Sequence, residues 1–270
     1  MVMRLRKSCK PEHNIKSNQS AKLKLGTFEE YRNTEDTEIQ DKGEASNTLT
    51  VEIEGPVKMS AEIFNALTAN QFNVGGDLYP PSHELPPFRH VRAESIQINY
   101  DGNPIELGHA RLLVDRQLPN GFIFCMSMVD DNDPENIFSE YRDSWSIPIE
   151  KSHDFAKLIA KQLSKHFEQD WVTPKITKKY KEIRYEYGPV TYADRNFVIN
   201  SAKEKEIVDT FHRVQNIAFT KPATYSKEKE FRFLFEVLSF SNPEDKIAQV
   251  HSPACQSIYI DLEIAWDKFS

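Results

Sequence analysis

"YSKEKEFRFLFEV", residues 225 to 237, alternates in a way that decides the architecture around it. Successive side chains of a strand point to opposite faces. On that period Phe231, Phe233, Phe235 and Val237 share one face, and Glu228, Glu230, Arg232, Leu234 and Glu236 share the other. The apolar face asks for a core. The charged face opens with Glu-x-Glu followed by Arg, and has two readings: the solvated side of a one-sided sheet, or the wall of a site.

Working outward, further strand patterns recur: "MVMRLR" at the start, "TLTVEIEG", "ESIQINY", "LGHARLLVD", "GFIFCMSMV", a short "GPVTYADR" and a final "QSIYIDLEI". "DG" at 101 to 102 and "NG" at 120 to 121 stand where hairpin or tight turns belong. Helical spacing marks three segments. Ser60 caps one carrying Ile63, Phe64 and Leu67. Ser152 caps a second with the stripe Phe155, Leu158, Ile159, Leu163 and Phe167. The third carries Ile207, Val208, Phe211, Val214 and Ala218. Strands and helices do not alternate in a βαβ rhythm, so the pattern predicts an α+β fold, one domain over residues 1 to 270, with a mixed, largely antiparallel sheet and flanking helices.

Composition narrows the classes. Seventeen Phe and ten Tyr against nine Gly indicate a filled interior. A net charge of -7 argues against coating nucleic acid by bulk charge, though not against a local basic patch. One such patch is "TPKITKKYKEIRYEY", where Lys175, Lys178, Lys179, Lys181 and Arg184 interleave with Tyr180, Tyr185 and Tyr187. It reads either as a nucleic-acid contact or as an exposed charged connection. Cys9, Cys125 and Cys255 form no Cys-x-x-Cys pair, which excludes a disulfide framework and suits a reducing compartment. The charged N-terminus lacks a signal-peptide core, and no window is apolar enough to span a bilayer, so a cytoplasmic protein without membrane partners is expected. The eight histidines show no metal spacing, and "DDNDPE" at 130 to 135 lacks the Gly and terminal Glu of a calcium loop. No metal site is expected.

Four segments in order, "LKLGTFEEYRNTED", "IFCMS", "VTYAD" and "FTKPATYSKEKEFRF", resemble a bacterial family of domains of unknown function found near phage-defence genes. The resemblance runs from about residue 20 to the end. Where that family has Trp-His-Tyr after the Cys-x-Ser strand, this chain has the looser "FSEYRDSW". The same skeleton is similar to ADP-ribosyltransferases of the Arg–Ser–Glu type. That resemblance implies an Arg on the first strand, here Arg4 or Arg6; a Ser on a middle strand, Ser127; and a Glu pair on a late strand, Glu228 and Glu230.

What it implies chemically is a transfer from NAD. Breaking the nicotinamide–ribose bond passes through an oxocarbenium-like state, as glycoside hydrolysis does. Glu230 would stabilise that charge and grip a ribose hydroxyl, and Glu228 would orient or deprotonate the nucleophile. The Arg would pair with the pyrophosphate, Ser127 would hold the ribose, and Tyr31 or Tyr141 would stack on nicotinamide. The implied setting is a toxin or effector of a toxin–antitoxin or phage-defence system, acting on RNA or protein, with an antitoxin protein as partner. The alternative is a non-enzymatic binding, antitoxin or sensor module of the same family.

Overall fold

The strand that opened the reading exists, but it starts later than the pattern implies. In the computed structural model the residues described are 3–18, 22–35, 45–68, 72–75, 88–102, 104–130, 141–170, 180–193, 196–199, 206, 209, 216–240, 249–251, 256–262 and 269. In chain order the strands are β1 (Arg4–Cys9), β2 (Leu23–Thr27), β3 (Ser46–Met59), β4 (Phe88–Asn99), β5 (Ile105–Gln117), β6 (Phe122–Val129) and β7 (Asp143–Pro148). They continue with β8 (Tyr180–Pro189), β9 (Thr191–Tyr192), β10 (Asn196–Ile199), β11 (Thr220–Lys221), β12 (Glu230–Phe240), β13 (Gln249–His251) and β14 (Ile258–Ile260). The α-helices are α1 (Phe28–Asn33), α2 (Ala61–Leu67) and α3 (Ser152–Asp170). The fold is α+β with mostly antiparallel sheet, and no described helix is long and apolar enough to cross a membrane.

Read as one domain from its sequence, the chain divides into two compact units, each with its own sheet and core. The first comprises Met1–Lys42, Asn120–Thr191 and Thr224–Ser270; the second comprises Gly43–Pro119 and Tyr192–Ala223. In the second unit β10, β3, β5 and β4 form a four-stranded sheet, with β10 parallel to β3 and the rest antiparallel. Its core gathers Val51, Ile53, Leu107, Leu112 and Val114 with Phe64 and Leu67 of α2. Ser60 caps α2 as expected, its Oγ accepting from the Ile63 amide at 3.1 Å. Asp101-Gly102 lies in the β4–β5 connection, with Gly102 at φ +112 where only glycine is comfortable. Asn120-Gly121 makes no hairpin. It joins β5 of one unit to β6 of the other, so its neighbours in sequence are not neighbours in one sheet.

In the first unit an eight-stranded sheet is ordered β13-β12-β6-β1-β7, with β8 also on β12 and β2 joining β6 and β14. One face of this sheet carries Phe122, Phe124 and Met126 of β6 and Phe231, Phe233, Phe235 and Val237 of β12, all buried. Against it lies α3, whose Phe155, Ile159, Leu163 and Phe167 are buried at helical spacing. Phe155 sits edge-on to Phe233 at 5.6 Å and within 5.9 Å of Trp145. Burying a side chain of this size contributes about 1.5–3 kcal/mol. Ser152 does not cap α3. A 3-10 turn over Ile149–Lys151 leads straight in, and Ser152 already has helical backbone angles. Of the third expected helix, residues 207, 208, 211 and 214 lie outside the described residues, and Ala218 is buried in a 3-10 turn, Ile217–Phe219.

The opposite face overturns the solvated-edge reading of "EKEFR". β12 is an interior strand, bonded to β6 on one side and β8 on the other, and this face is covered as well. Leu234, Ile123 and Phe28 of α1 are buried there, and Arg232 is completely so.

Candidate functional site

Register gathers the candidate residues. β1 runs antiparallel to β6 with Arg6 opposite Ser127, and β12 runs antiparallel to β6 with Ser127 opposite Glu230. Residues directly opposite in an antiparallel ladder share a face with Cβ atoms about 4.5–5.5 Å apart. Arg6, Ser127 and Glu230 therefore form one row across three adjacent strands, on the face away from α3. Ser127 and Glu230 are buried and Arg6 is half-buried. Arg4 is on the same face one rung pair away, opposite Val129 and Pro148, and its Nε donates to Ser146 Oγ at 3.0 Å. Both arginines belong to an interior strand between β6 and β7.

Glu230 is held from two directions. Its carbonyl accepts from the Val190 amide at 2.9 Å, which fixes the strand against the end of β8. Its Oε1 accepts from Arg232 Nε at 2.7 Å, with the two side chains 5% and 0% exposed. The pair spans i and i+2, which are same-face neighbours on a strand.

Glu228 departs from the alternating pattern. It ends a 3-10 helix over Ala223–Glu228, and Lys229 follows with φ +45, in the left-handed region. That reversal breaks the period of two, so Glu228 and Glu230 do not share a strand face. Residue types alone hid the break, because Lys is not a residue that marks positive φ. The turn is pinned where it meets β6, the Met128 amide donating to the Lys229 carbonyl at 2.7 Å.

Tyr31 reaches the same face as the row. Thr27 caps α1, its Oγ1 accepting from the Glu30 amide at 3.1 Å, and this turns the chain back over β2. Gly26 pairs with Ile123, and a Cβ there would meet Tyr31 Cε2 at 2.5 Å. The ring thus occupies the space that any other residue at 26 would fill. Tyr141 is half-buried just ahead of β7, and residues 138 to 140 of "FSEYRDSW" lie outside the described residues.

No protein-family model, curated protein or solved structure matches the chain. The row is therefore judged on its own geometry.

Two side chains beside it were not singled out from sequence. Arg6–Ser127 is the last rung between β1 and β6, and β2 joins β6 only at Ile123 and Phe122. Between them the Cys125 carbonyl accepts from Lys7 Nζ at 3.0 Å, with the ammonium 5.0 Å from the centre of the Phe124 ring. Burial pushes the Lys7 ammonium below its ordinary value, while Cys125, Glu230 and Cys9 pull the other way and Lys24 adds to the lowering. Lys7 falls on the apolar alternation of β1, between Leu5 and Cys9, so periodicity gives no cue that its head reaches a strand edge. Ser8, two residues after Arg6 on the same face, is buried with its Oγ lacking a hydrogen-bond partner among the described residues. A buried hydroxyl left in that state calls for an explanation.

No group of three or more His, Cys, Asp or Glu side chains able to hold a metal occurs among the described residues. Of "DDNDPE" only Asp130 is described. Lys175, Lys178 and Lys179 are also outside the described residues, and "YKEIRYEY" forms β8.

Proposed function

We propose that this protein is an NAD-dependent mono-ADP-ribosyltransferase-like enzyme with an ADP-ribosyltransferase-like first unit, its site centred on Arg6, Ser127 and Glu230. The single observation that carries the reading is the cross-strand row. Three residue types picked from segments more than a hundred positions apart fall on one rung of three adjacent strands. Nothing in composition or periodicity requires that coincidence.

In the proposed reaction the bond between nicotinamide and ribose C1′ breaks, and nicotinamide leaves with the bonding electrons. An oxygen or nitrogen nucleophile then attacks C1′ and gives up its proton. Glu230 would face the developing positive charge. Its backbone is already fixed by β6 and β8, so little reorganisation accompanies the reaction. Arg6 would pair with the pyrophosphate, with Arg4 beside it, through the planar fork that suits phosphate. Ser127 would hold the ribose, and the orphan Ser8 hydroxyl is of the type a polar ligand would satisfy. Tyr31 is the stacking ring offered from α1, with Tyr141 as the alternative. Glu228 would act on the nucleophile from the preceding turn, not from the strand.

The acceptor would be RNA or protein, and the setting a toxin–antitoxin or phage-defence system with a neutralising antitoxin. Both follow from the family resemblance. A second reading, a non-enzymatic binding or sensor module, is favoured by one observation: Glu230 Oε1 is tied to a fully buried Arg232, as a structural ion pair would be.

Labelled NAD mixed with cell extract and either wild type or Glu230→Gln separates the two. Label on RNA or protein with wild type alone supports the transferase and names its acceptor class. Free nicotinamide without labelled macromolecule narrows the reaction to NAD hydrolysis. Neither signal from two folded proteins overturns the proposal in favour of the binding module.

A further inference from the structure

We propose that the outer face of α3, together with Tyr185 and Tyr187 of β8, binds single-stranded nucleic acid. The surface lies on the face of the first unit's sheet opposite the Arg6–Ser127–Glu230 row and does not rest on the transferase reading.

The helix supplies the charge. His153, Lys157, Lys161 and Lys165 recur every four residues and are all exposed. Side chains four apart on a helix are neighbours on one face, with a rise of about 6 Å per step. From Phe155 to Phe167 the helix has no carboxylate at all. None of the three lysines pairs with an acid whose side chain is described. In a chain of net charge -7 this is a local reversal of sign. The acids of the helix lie at its two ends, Asp154 in the first turn and Glu168 and Asp170 in the last.

The strand supplies the aromatic platform. Tyr185 and Tyr187 face α3, while Glu182, Arg184 and Glu186 take the alternate positions and point away from it, Arg184 being bonded to Glu236. Tyr187 is 36% exposed, yet its ring packs against Phe231 and Phe233, inclined by 29° and 28° with centroids at 6.3 and 6.0 Å. Its hydroxyl is 3.2 Å from His153 Nδ1, so the platform abuts the first member of the basic stripe. A ring held by its sheet neighbours and partly exposed is suited to stacking a base, and an adjacent line of ammonium groups is suited to tracking a phosphate backbone.

Other anionic partners fit less well. A membrane surface would want apolar side chains to insert beside the lysines. Among the described residues the exposed large hydrophobics are Met3, Tyr100, Tyr187, Val198 and Tyr259, and of these Tyr187 is the one placed on this surface by its contact with His153. Duplex nucleic acid offers no open base face to an aromatic ring, whereas a single strand does.

The test is fluorescence anisotropy of a labelled oligouridine, long enough to span α3, against the full chain over a range of salt. Lys157→Ala/Lys161→Ala/Lys165→Ala should weaken binding about tenfold or more and flatten the slope of log affinity against log salt by about 2, since each single-strand phosphate contact contributes about 0.7. Tyr187→Ala should weaken it about fivefold to a hundredfold with the slope unchanged, and Tyr187→Phe should bind as wild type, because stacking needs the ring and not the hydroxyl. The altered lysines are exposed, so their melting temperature serves as the folding control. The proposal is overturned if wild type gives no anisotropy change at low salt, or if the triple variant binds as wild type. It is overturned equally if the triple variant loses phosphatidylserine vesicles while keeping oligouridine. No NAD enters the assay, so its outcome is separable from that of the turnover experiment.

Discussion

Arg232→Met, set beside Glu230→Gln and the double variant, separates what Glu230 does for the fold from what it does for chemistry. Arg232 is wholly buried and its Nε is 2.7 Å from Glu230 Oε1, itself within a nearly buried side chain. Removing one partner of a buried pair leaves an uncompensated charge and costs about 3–5 kcal/mol, so Arg232→Met should destabilise the first unit by that amount. For a unit of this size the loss is on the order of 10 °C in Tm. Glu230→Gln keeps an oxygen that accepts from Arg232, and should cost only about 1–2 kcal/mol. In the double variant neither charge remains, and stability should recover to within about 1–2 kcal/mol of wild type. Urea titrations give these energies, and NAD turnover is measured well below the lowest midpoint. The expected pattern is that both variants carrying Gln at 230 are inactive although each is within about 2 kcal/mol of wild type. An Arg232→Met protein as stable as wild type would refute the ion-pair argument. Wild-type turnover in folded Glu230→Gln would refute the catalytic one.

Three further outcomes follow from local geometry. Gly26→Ala places a Cβ 2.5 Å from Tyr31 Cε2, so the ring must shift; we expect a loss of about 1–3 kcal/mol in thermal unfolding, and a raised KM for NAD if Tyr31 stacks on the substrate. At Lys229, with φ +45, Lys229→Gly and Lys229→Val should differ in stability by at least about 1 kcal/mol in favour of Gly, since a β-branched residue is poorly tolerated there; equal urea midpoints would count against the left-handed turn. Burial, with Asp143 opposite it, pushes the Cys9 thiol from its ordinary 9.0 up to about 11. The folded state then holds a proton that the unfolded state has lost, so Cys9's contribution is full below pH 9 and disappears as pH rises through about 11. Cys9→Ala should flatten the fall in Tm over that window, and an unchanged profile would remove Cys9 as the cause.

Much of the fold is legible in the sequence because its strands are governed by short-range alternation. The buried Phe231-Phe233-Phe235 face and the Phe155-Ile159-Leu163 stripe of α3 follow directly from their periods. What periodicity does not carry is pairing between distant strands. Asn120-Gly121 has the chemistry of a hairpin turn yet joins two different sheets, a distinction that only tertiary partners make. Burial of the second face of β12 was equally hidden. Glu230 and Arg232 read as polar one at a time, and they are buried because each satisfies the other. Lys7 is the reverse case: a cation on an apolar alternation whose stem packs inward while its head caps a carbonyl at a strand edge.

The buried Glu230–Arg232 pair bears on the choice between enzyme and binding module more closely than either reading allows at first. A structural pair needs only mutual satisfaction, and it gains nothing from Arg6 and Ser127 lying on the same rung. A catalytic carboxylate needs a fixed position and a preserved charge, and a guanidinium bonded to one oxygen supplies both. Arg232 Nε engages Oε1 from two residues along the strand, on the side away from the turn at Lys229. Ordering by Arg232 would reduce the negative potential at Glu230 while lowering the reorganisation its chemistry requires. If that balance governs the site, Arg232→Lys, which keeps the charge but not the planar fork, should lower kcat by more than it raises KM. A change confined to stability would leave the pair as a structural clamp.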